Sequence, residues 1–125
     1  MSHSQRLTAI AALLAGLSVA LGAFGSHALE TLVTPQRLDT WDTAVHYQMF
    51  HALALLWSGL YLQRYPHRGI LTSTLLILAG TLIFSGSLYA LVLLDVPVLG
   101  AITPIGGVLL ITGWFTLAWH LALRH

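Results

Sequence analysis

Residues 44–62, AVHYQMFHALALLWSGLYL, decide the fold. They carry no Asp, Glu, Lys or Arg. They are long enough to cross a hydrocarbon layer about 30 Å thick, since a helix rises about 1.5 Å per residue. Yet the first half of the stretch holds His46, Tyr47, Gln48 and His51. At about 100° per residue, Ala44, Tyr47, Gln48, His51, Leu55, Ser58 and Gly59 share one helix face. Gln48 and His51 are costly among acyl chains, so this face is expected to point at other helices. Counted from Ala44, His51 falls about 10 Å inside the span.

Three more stretches have the same character: residues 7–27, 70–94 and 101–123. An unpaired backbone amide in lipid costs several kcal/mol, so all four are expected as helices. The whole composition agrees. Of 125 residues, 57% are hydrophobic and 7% charged, with no lysine, and the mean hydropathy is +0.82. Soluble domains carry roughly 25% charged residues. Five arginines and four acids cannot cover a soluble surface, which excludes a soluble enzyme and a disordered tail. A nucleic-acid partner is excluded too, because it needs a basic face. There is no cysteine, hence no disulfide and no thiolate chemistry. The expected fold is an all-α membrane protein, one domain over 1–125, with four transmembrane helices in an up-down-up-down left-handed bundle.

The connections fit this plan. Residues 28–43 form one loop, within which Thr34-Pro35 reads as an N-cap followed by proline at the first helical position. A helix is expected from near residue 35, either running into the second span or bending at 40–43. QRYPHRG at 63–69 and DVPVLG at 95–100 are tight turns. Arg6, Arg64, Arg68 and Arg124 fall on one side of four alternating spans. Arg37 falls on the other, with Glu30, Asp39, Asp42 and Asp95. The positive-inside rule then puts both termini in the cytoplasm of an inner-membrane protein. Ser26-His27-Ala28 offers the small residues of a signal-peptide cleavage site, but the first span is longer than a signal peptide's apolar region and is expected to stay.

Small residues recur every seven positions, as helices in close contact within lipid require. They are Ala9, Gly16 and Ala23 (flanked by Ala12, Val19 and Ser26), Ser73, Gly80 and Ser87, Ala44 and Ser58 with His51 midway between them, and Gly106 and Gly113 with His120 next in the series. Gly16, Ala23, Gly80, Gly106 and Gly113 are the expected packing positions. A homo-oligomer or a larger membrane complex would use seams of the same kind. The polar side chains converge on the 28–43 side of the bundle: His27, Tyr47, Gln48, His51, Ser85, Ser87, Tyr89 and Thr103. The other half reads as nearly pure Leu, Ile, Ala and Gly. Two roles suit the cluster. One is a hydrogen-bonded network that fixes helix register. The other is a binding site for a lipid head group, a quinone, a small molecule or a proton.

No cofactor and no metal site is expected. His46 and His51 lie about 140° apart on their helix, and His27 differs from His51 in depth by about two turns, which does not suit paired axial ligation of haem. His3, His67 and His125 are expected in solvent, with His120 snorkelling to the interface beside Trp119. Trp41, Trp57, Trp114 and Trp119 are expected as belt or packing residues. Asp39 and Asp42 mark a helix start, and no HExxH, GxSxG or P-loop motif occurs. No catalytic residue is assigned, and a non-enzymatic lipid-contacting or accessory module is the expected role.

The polar stretches carry a resemblance. GAFGSHAL at 22–29, WDTAVHYQMFHALALL at 41–56, SGSLYAL at 85–91 and LGAITPIGG at 99–107 resemble, in order and spacing, the motifs of the YgdD/YwdK-type small membrane proteins. That family is a domain of unknown function with a small eukaryotic transmembrane relative. The resemblance implies a four-span bundle in a bacterial inner membrane and supplies no reaction. The matching positions include Gly22, Gly25, His27, Tyr47, Gln48, His51, Ser85, Ser87, Tyr89, Thr103, Pro104 and Gly106, with Ser26 standing where members often carry alanine.

Overall fold

The computed structural model describes residues 1–123, so Arg124 and His125 lie outside the described residues. It is all-helical, with four long helices: α1 His3–His27, α2 Pro35–Arg64, α3 Arg68–Leu94 and α4 Thr103–Ala122. Each start has a local cause. Ser2 caps α1 by accepting from the Gln5 amide, and the Gln5 side chain returns a bond to the Ser2 amide. Thr34 accepts from the Arg37 amide at 3.2 Å and Pro35 opens α2. His67 caps α3 with its ring nitrogen, 3.1 Å from the Ile70 amide. α2 does not bend at 40–43. It runs unbroken for 30 residues, about 45 Å, so the second part of the expected 28–43 loop is helix. Single 3-10 turns at Leu29–Thr31 and Pro97–Ala101 complete the connections.

Three segments are long and apolar enough to cross a membrane: α1, α3 and the stretch Pro97–Ala122 that contains α4. α2 is longer than any of them but less apolar, because His46, Tyr47, Gln48 and His51 lie in its middle.

Close contacts join α1 to α2, α2 to α3 and α3 to α4, while α1 and α4 do not approach each other closely among the described residues. α2 and α3 therefore have protein on two sides. Side chains of all four helices share one apolar core of Ala11, Leu14, Ala52, Leu55, Leu62, Ile70, Ile77, Leu110 and Leu117. A second cluster, Leu29, Trp41, Leu91 and Val92, closes the end that carries the 3-10 turns.

The α3–α4 seam is built on small residues. Ser73 meets Thr116, Ile77 meets Gly113, Gly80 meets Leu110 and Gly106, and Ser87 meets Thr103. Gly80, Gly106 and Gly113 let the two backbones touch: a β-carbon at residue 106 would stand 2.5 Å from the Phe84 nitrogen and 2.9 Å from the Gly80 carbonyl oxygen. In lipid such close approach supplies the van der Waals contact that holds helices together. His120 continues the seam by packing on Gly69 and on the His67 ring, 5.5 Å away between centroids. His67 and His120 are thus half-buried partners, where solvent and snorkelling positions were expected.

The α1 seam differs from expectation. Leu7, Ala11, Leu14, Ser18 and Gly25 are buried, while Ala9, Ala12, Gly16, Val19, Ala23 and Ser26 are exposed. Nothing lies within 4 Å of a β-carbon placed at Gly16. Ala9, Gly16 and Ala23 precede Ala11, Ser18 and Gly25 by two positions each, about 200° around the helix. Because α1 is small and apolar on every side, size alone marks two heptad stripes. The buried one is the stripe that accepts bonds from α2, through the carbonyls of Leu14 and Leu21.

Candidate functional site

The polar side chains of α2 and α3 bond across helix boundaries in a chain of short hydrogen bonds. It begins with Trp41, 1% exposed, whose indole N–H donates to the Leu21 carbonyl on α1 at 2.8 Å. Gly25 makes room for that ring, since a β-carbon there would sit 2.6 Å from Trp41 Cδ1. Tyr89 of α3 packs edge-on against Trp41, with centroids 4.7 Å apart. Its hydroxyl donates to Gln48 Oε1 at 2.6 Å, and Gln48 Nε2 donates to the Leu14 carbonyl at 2.8 Å. One buried glutamine thus ties α1, α2 and α3 together. Ser85 adds a second α2–α3 link, donating to the Ala44 carbonyl at 2.8 Å. Ser87 and Thr103 link α3 to α4 at 2.6 Å.

His51 uses both ring nitrogens. Nδ1 lies 2.7 Å from the Tyr47 carbonyl, which can only accept, so Nδ1 carries a proton and donates. Nε2 accepts from the Trp114 indole N–H at 3.1 Å, so it is the unprotonated nitrogen of that tautomer. Trp114 reaches His51 because side chains of a helix lean toward its N-terminus, which for α4 is the Thr103 end.

Of the eight side chains expected to cluster, Gln48, Ser85 and Tyr89 lie along the α2–α3 contact, Ser87 and Thr103 form a bonded pair, and His51 bonds to Tyr47 and Trp114 instead. Tyr47 itself turns outward. The residue is 41% exposed and its ring stacks on Phe84 at 4.2 Å. His27 is exposed at the last turn of α1 and joins none of these bonds. It stands two positions after Gly25, about 200° from the face that meets Trp41. Trp41 and Trp114 are members that sequence reasoning assigned to an interfacial belt or to packing. Tryptophan's N–H seeks an acceptor when buried, which was the available signal for Trp41; Trp114, 42% exposed, carried no such signal.

Buried polar groups are not confined to one half. Ser58, Ser73, Thr74 and Thr81 are buried in the half expected to be apolar. Thr74 and Thr81 bond to carbonyls four residues back at 2.7 Å, Ser58 to the Leu55 carbonyl at 3.3 Å, and Ser73 pairs with Thr116 at 2.8 Å. Every buried polar side chain described, from Ser18 to Ser87, has a hydrogen-bond partner. Gln48 and His51 are therefore engaged by the protein itself. A cavity of about 760 Å³ lies elsewhere, where the end of α1, the start of α2 and the end of α3 meet, and Arg37 and Asp95, which both line it, form a 3.1 Å ion pair.

A family model described as a protein of unknown function, DUF423, matches residues 21–107. The chain belongs to the DUF423 family. A UPF0382 membrane protein of Staphylococcus aureus is 46% identical over 108 residues, covering 86% of this chain and 88% of its own. The UPF0382 membrane protein YwdK of Bacillus subtilis is 44% identical over 99 residues, covering 78% and 80%. A UPF0382 membrane protein of Schizosaccharomyces pombe is 44% identical over 114 residues, covering 86% and 94%. The resemblance to YwdK-type proteins, with a eukaryotic relative, is therefore established. No solved structure matches the chain. The DUF423 segment runs from the last turns of α1 to the first turns of α4 and holds Trp41, Gln48, His51, Ser85, Ser87, Tyr89 and Thr103, the carriers of the network apart from Trp114.

Proposed function

We propose that this DUF423 protein is a non-enzymatic membrane module, a rigid lipid-contacting scaffold or accessory subunit, whose polar network sets helix register. The observation that carries this reading is closure. Gln48, His51, Ser85 and Tyr89 bond to one another, to backbone carbonyls or to Trp114. A head group, quinone or proton bound at the same place would have to displace these bonds. In this reading all four helices cross a bacterial inner membrane, up-down-up-down in a left-handed bundle, with both termini cytoplasmic. The paired positions along α3 and α4 and the arginines at 6, 64 and 68 support it. α2 crosses despite its polar middle because Gln48 and His51 face neighbouring helices. The partner is the bilayer together with a second copy or a larger complex.

The absence of cysteine makes the topology directly testable. Ser4→Cys and Val98→Cys variants in intact cells are treated with a membrane-impermeant maleimide. The thiol introduced at position 98 is expected to label from outside, and the one at position 4 only after lysis. The role is tested with Gln48→Leu and His51→Leu expressed to wild-type level in a strain lacking the gene. Full complementation at matched level supports a scaffold. A folded, abundant variant that fails to complement overturns it.

A further inference from the structure

The cavity lined by Arg37 and Asp95 lies outside the closed network. It sits where α1 and α3 both end, at Phe24 and at Val92–Asp95. Since those two helices have the length and apolarity to cross a membrane, their shared end is a membrane–water boundary, and the inference rests on that placement. One wall is apolar: Phe24, Val33 and Leu93. The other is polar. Arg37, with 28% of its side chain exposed, engages Asp95 through a single Nη2 bond. The first turn of α2 opens on the same space, and the Gln36 N–H meets no acceptor among the described residues. A guanidinium beside the positive end of a 30-residue helix suits a phosphate.

Asp95 supplies the opposite charge. Its carboxylate is 83% exposed, and it ends α3 with φ at 53°. Glycine takes that left-handed conformation at no steric cost, and an aspartate there retains a charge while accepting strain. Glu30, Asp39 and Asp42 belong to the same end of the bundle, so a purely anionic lipid is repelled. A zwitterion is not, provided its cationic end meets Asp95 while its phosphate meets Arg37.

We propose that this cleft binds the head group of a zwitterionic aminophospholipid, with phosphate on Arg37 and the α2 N-terminus, primary ammonium on Asp95, and the acyl chain leaving past Leu93. The ion pair then opens and each charge takes its counterpart on the lipid. A primary ammonium donates hydrogen bonds to a carboxylate, which a quaternary choline does not.

The test is native mass spectrometry of the full chain from detergent micelles doped equally with phosphatidylethanolamine, phosphatidylcholine and phosphatidylglycerol, with inorganic phosphate and ethanolamine as separate controls. Phosphatidylethanolamine is expected to exceed each other lipid by about fivefold, the size of one partly exposed charge contact. Asp95→Gly is expected to abolish that preference while leaving the melting temperature unchanged or higher, because it relieves the strained φ. Thr40→Phe, which fills the cleft and leaves both charges, is expected to abolish lipid retention. Equal retention of the three lipids, a preference for phosphatidylglycerol, equal retention by Thr40→Phe, or an Asp95→Gly protein that keeps its preference each overturns the proposal. So does saturation by inorganic phosphate alone. None of these results bears on the closed network, whose test is complementation.

Discussion

Replacing Gly106 by alanine separates α3 from α4, and the neighbouring Gly107 provides the control. The new β-carbon would meet Phe84 N at 2.5 Å, Phe84 Cα at 2.8 Å and the Gly80 oxygen at 2.9 Å. All three are backbone atoms that cannot rotate away. Comfortable contact begins at about 3.5 Å, so α4 must retreat by about 1 Å. That retreat stretches the 2.6 Å Ser87–Thr103 contact beyond hydrogen-bonding range. Overpacking costs about 1–3 kcal/mol and the lost interhelical bond about 0.6–1.7 kcal/mol. Alanine's better helix propensity returns about 1 kcal/mol. The net expectation is a destabilisation of about 0.6–3.7 kcal/mol. At Gly107 nothing lies within 4 Å, so Gly107→Ala is expected to be neutral or stabilising by up to about 1 kcal/mol. Reversible unfolding in mixed micelles, followed by far-ultraviolet circular dichroism, reads the difference. If the two variants unfold within about 0.5 kcal/mol of each other, the seam is not where the glycine contacts put it and the reasoning fails.

Two further perturbations address the network. Gln48→Leu and Tyr89→Phe each break the 2.6 Å bond between them, so in a double-mutant cycle the pair is expected to show a coupling of about 0.6–1.7 kcal/mol; additive costs would mean the bond contributes nothing. Gly25→Ala drives a β-carbon to 2.6 Å from Trp41 Cδ1, and the displaced indole is expected to lose its bond to Leu21, lowering stability by about 1–3 kcal/mol and shifting the fluorescence of a variant in which Trp41 is the remaining tryptophan; an unchanged spectrum and melting temperature would refute the contact.

The helices were legible because their causes are local. Thr34-Pro35 and the turns at 63–69 and 95–100 announce ends through capping and breaking residues, and these are where α2, α3 and α4 begin or stop. On α3 and α4 the seven-residue spacing of Ser73, Gly80 and Ser87 and of Gly106 and Gly113 falls on the contact between the two helices. On α1 the same signal failed. Small residues occupy both Ala9-Gly16-Ala23 and Ala11-Ser18-Gly25, and only the acceptors for Trp41 and Gln48 distinguish the faces. Periodicity on α2 set Tyr47, Gln48 and His51 on one face, of which Gln48 and His51 are buried and Tyr47 is 41% exposed, and it could not assign their partners. His51 finds Trp114 on a helix that its own helix barely approaches, and the indole spans the gap. Pairings of that kind depend on side-chain length and helix direction, which no spacing within one helix encodes.

The order of the helices sets how much of each one is buried. α1 and α4 each have one close helix neighbour, whereas α2 and α3 each have two. Accordingly five residues are buried in α1 and four in α4, against nine in α2 and eleven in α3. α1 and α4 are apolar around most of their circumference, as a helix surrounded by lipid would have to be. α3 keeps its buried Thr74 and Thr81 harmless to its own apolarity by bonding them to its own carbonyls. α2 instead carries long polar side chains that reach other helices, which lowers its hydropathy while Gln48 and His51 stay buried. The lower apolarity of α2 thus comes partly from buried Gln48 and His51 and partly from His46 and Tyr47, which are exposed on its surface; α3 has two neighbours as well and stays apolar. A Gln48→Leu chain would raise the hydropathy of α2 while lowering the stability of the bundle, a divergence that a peripheral helix would not show.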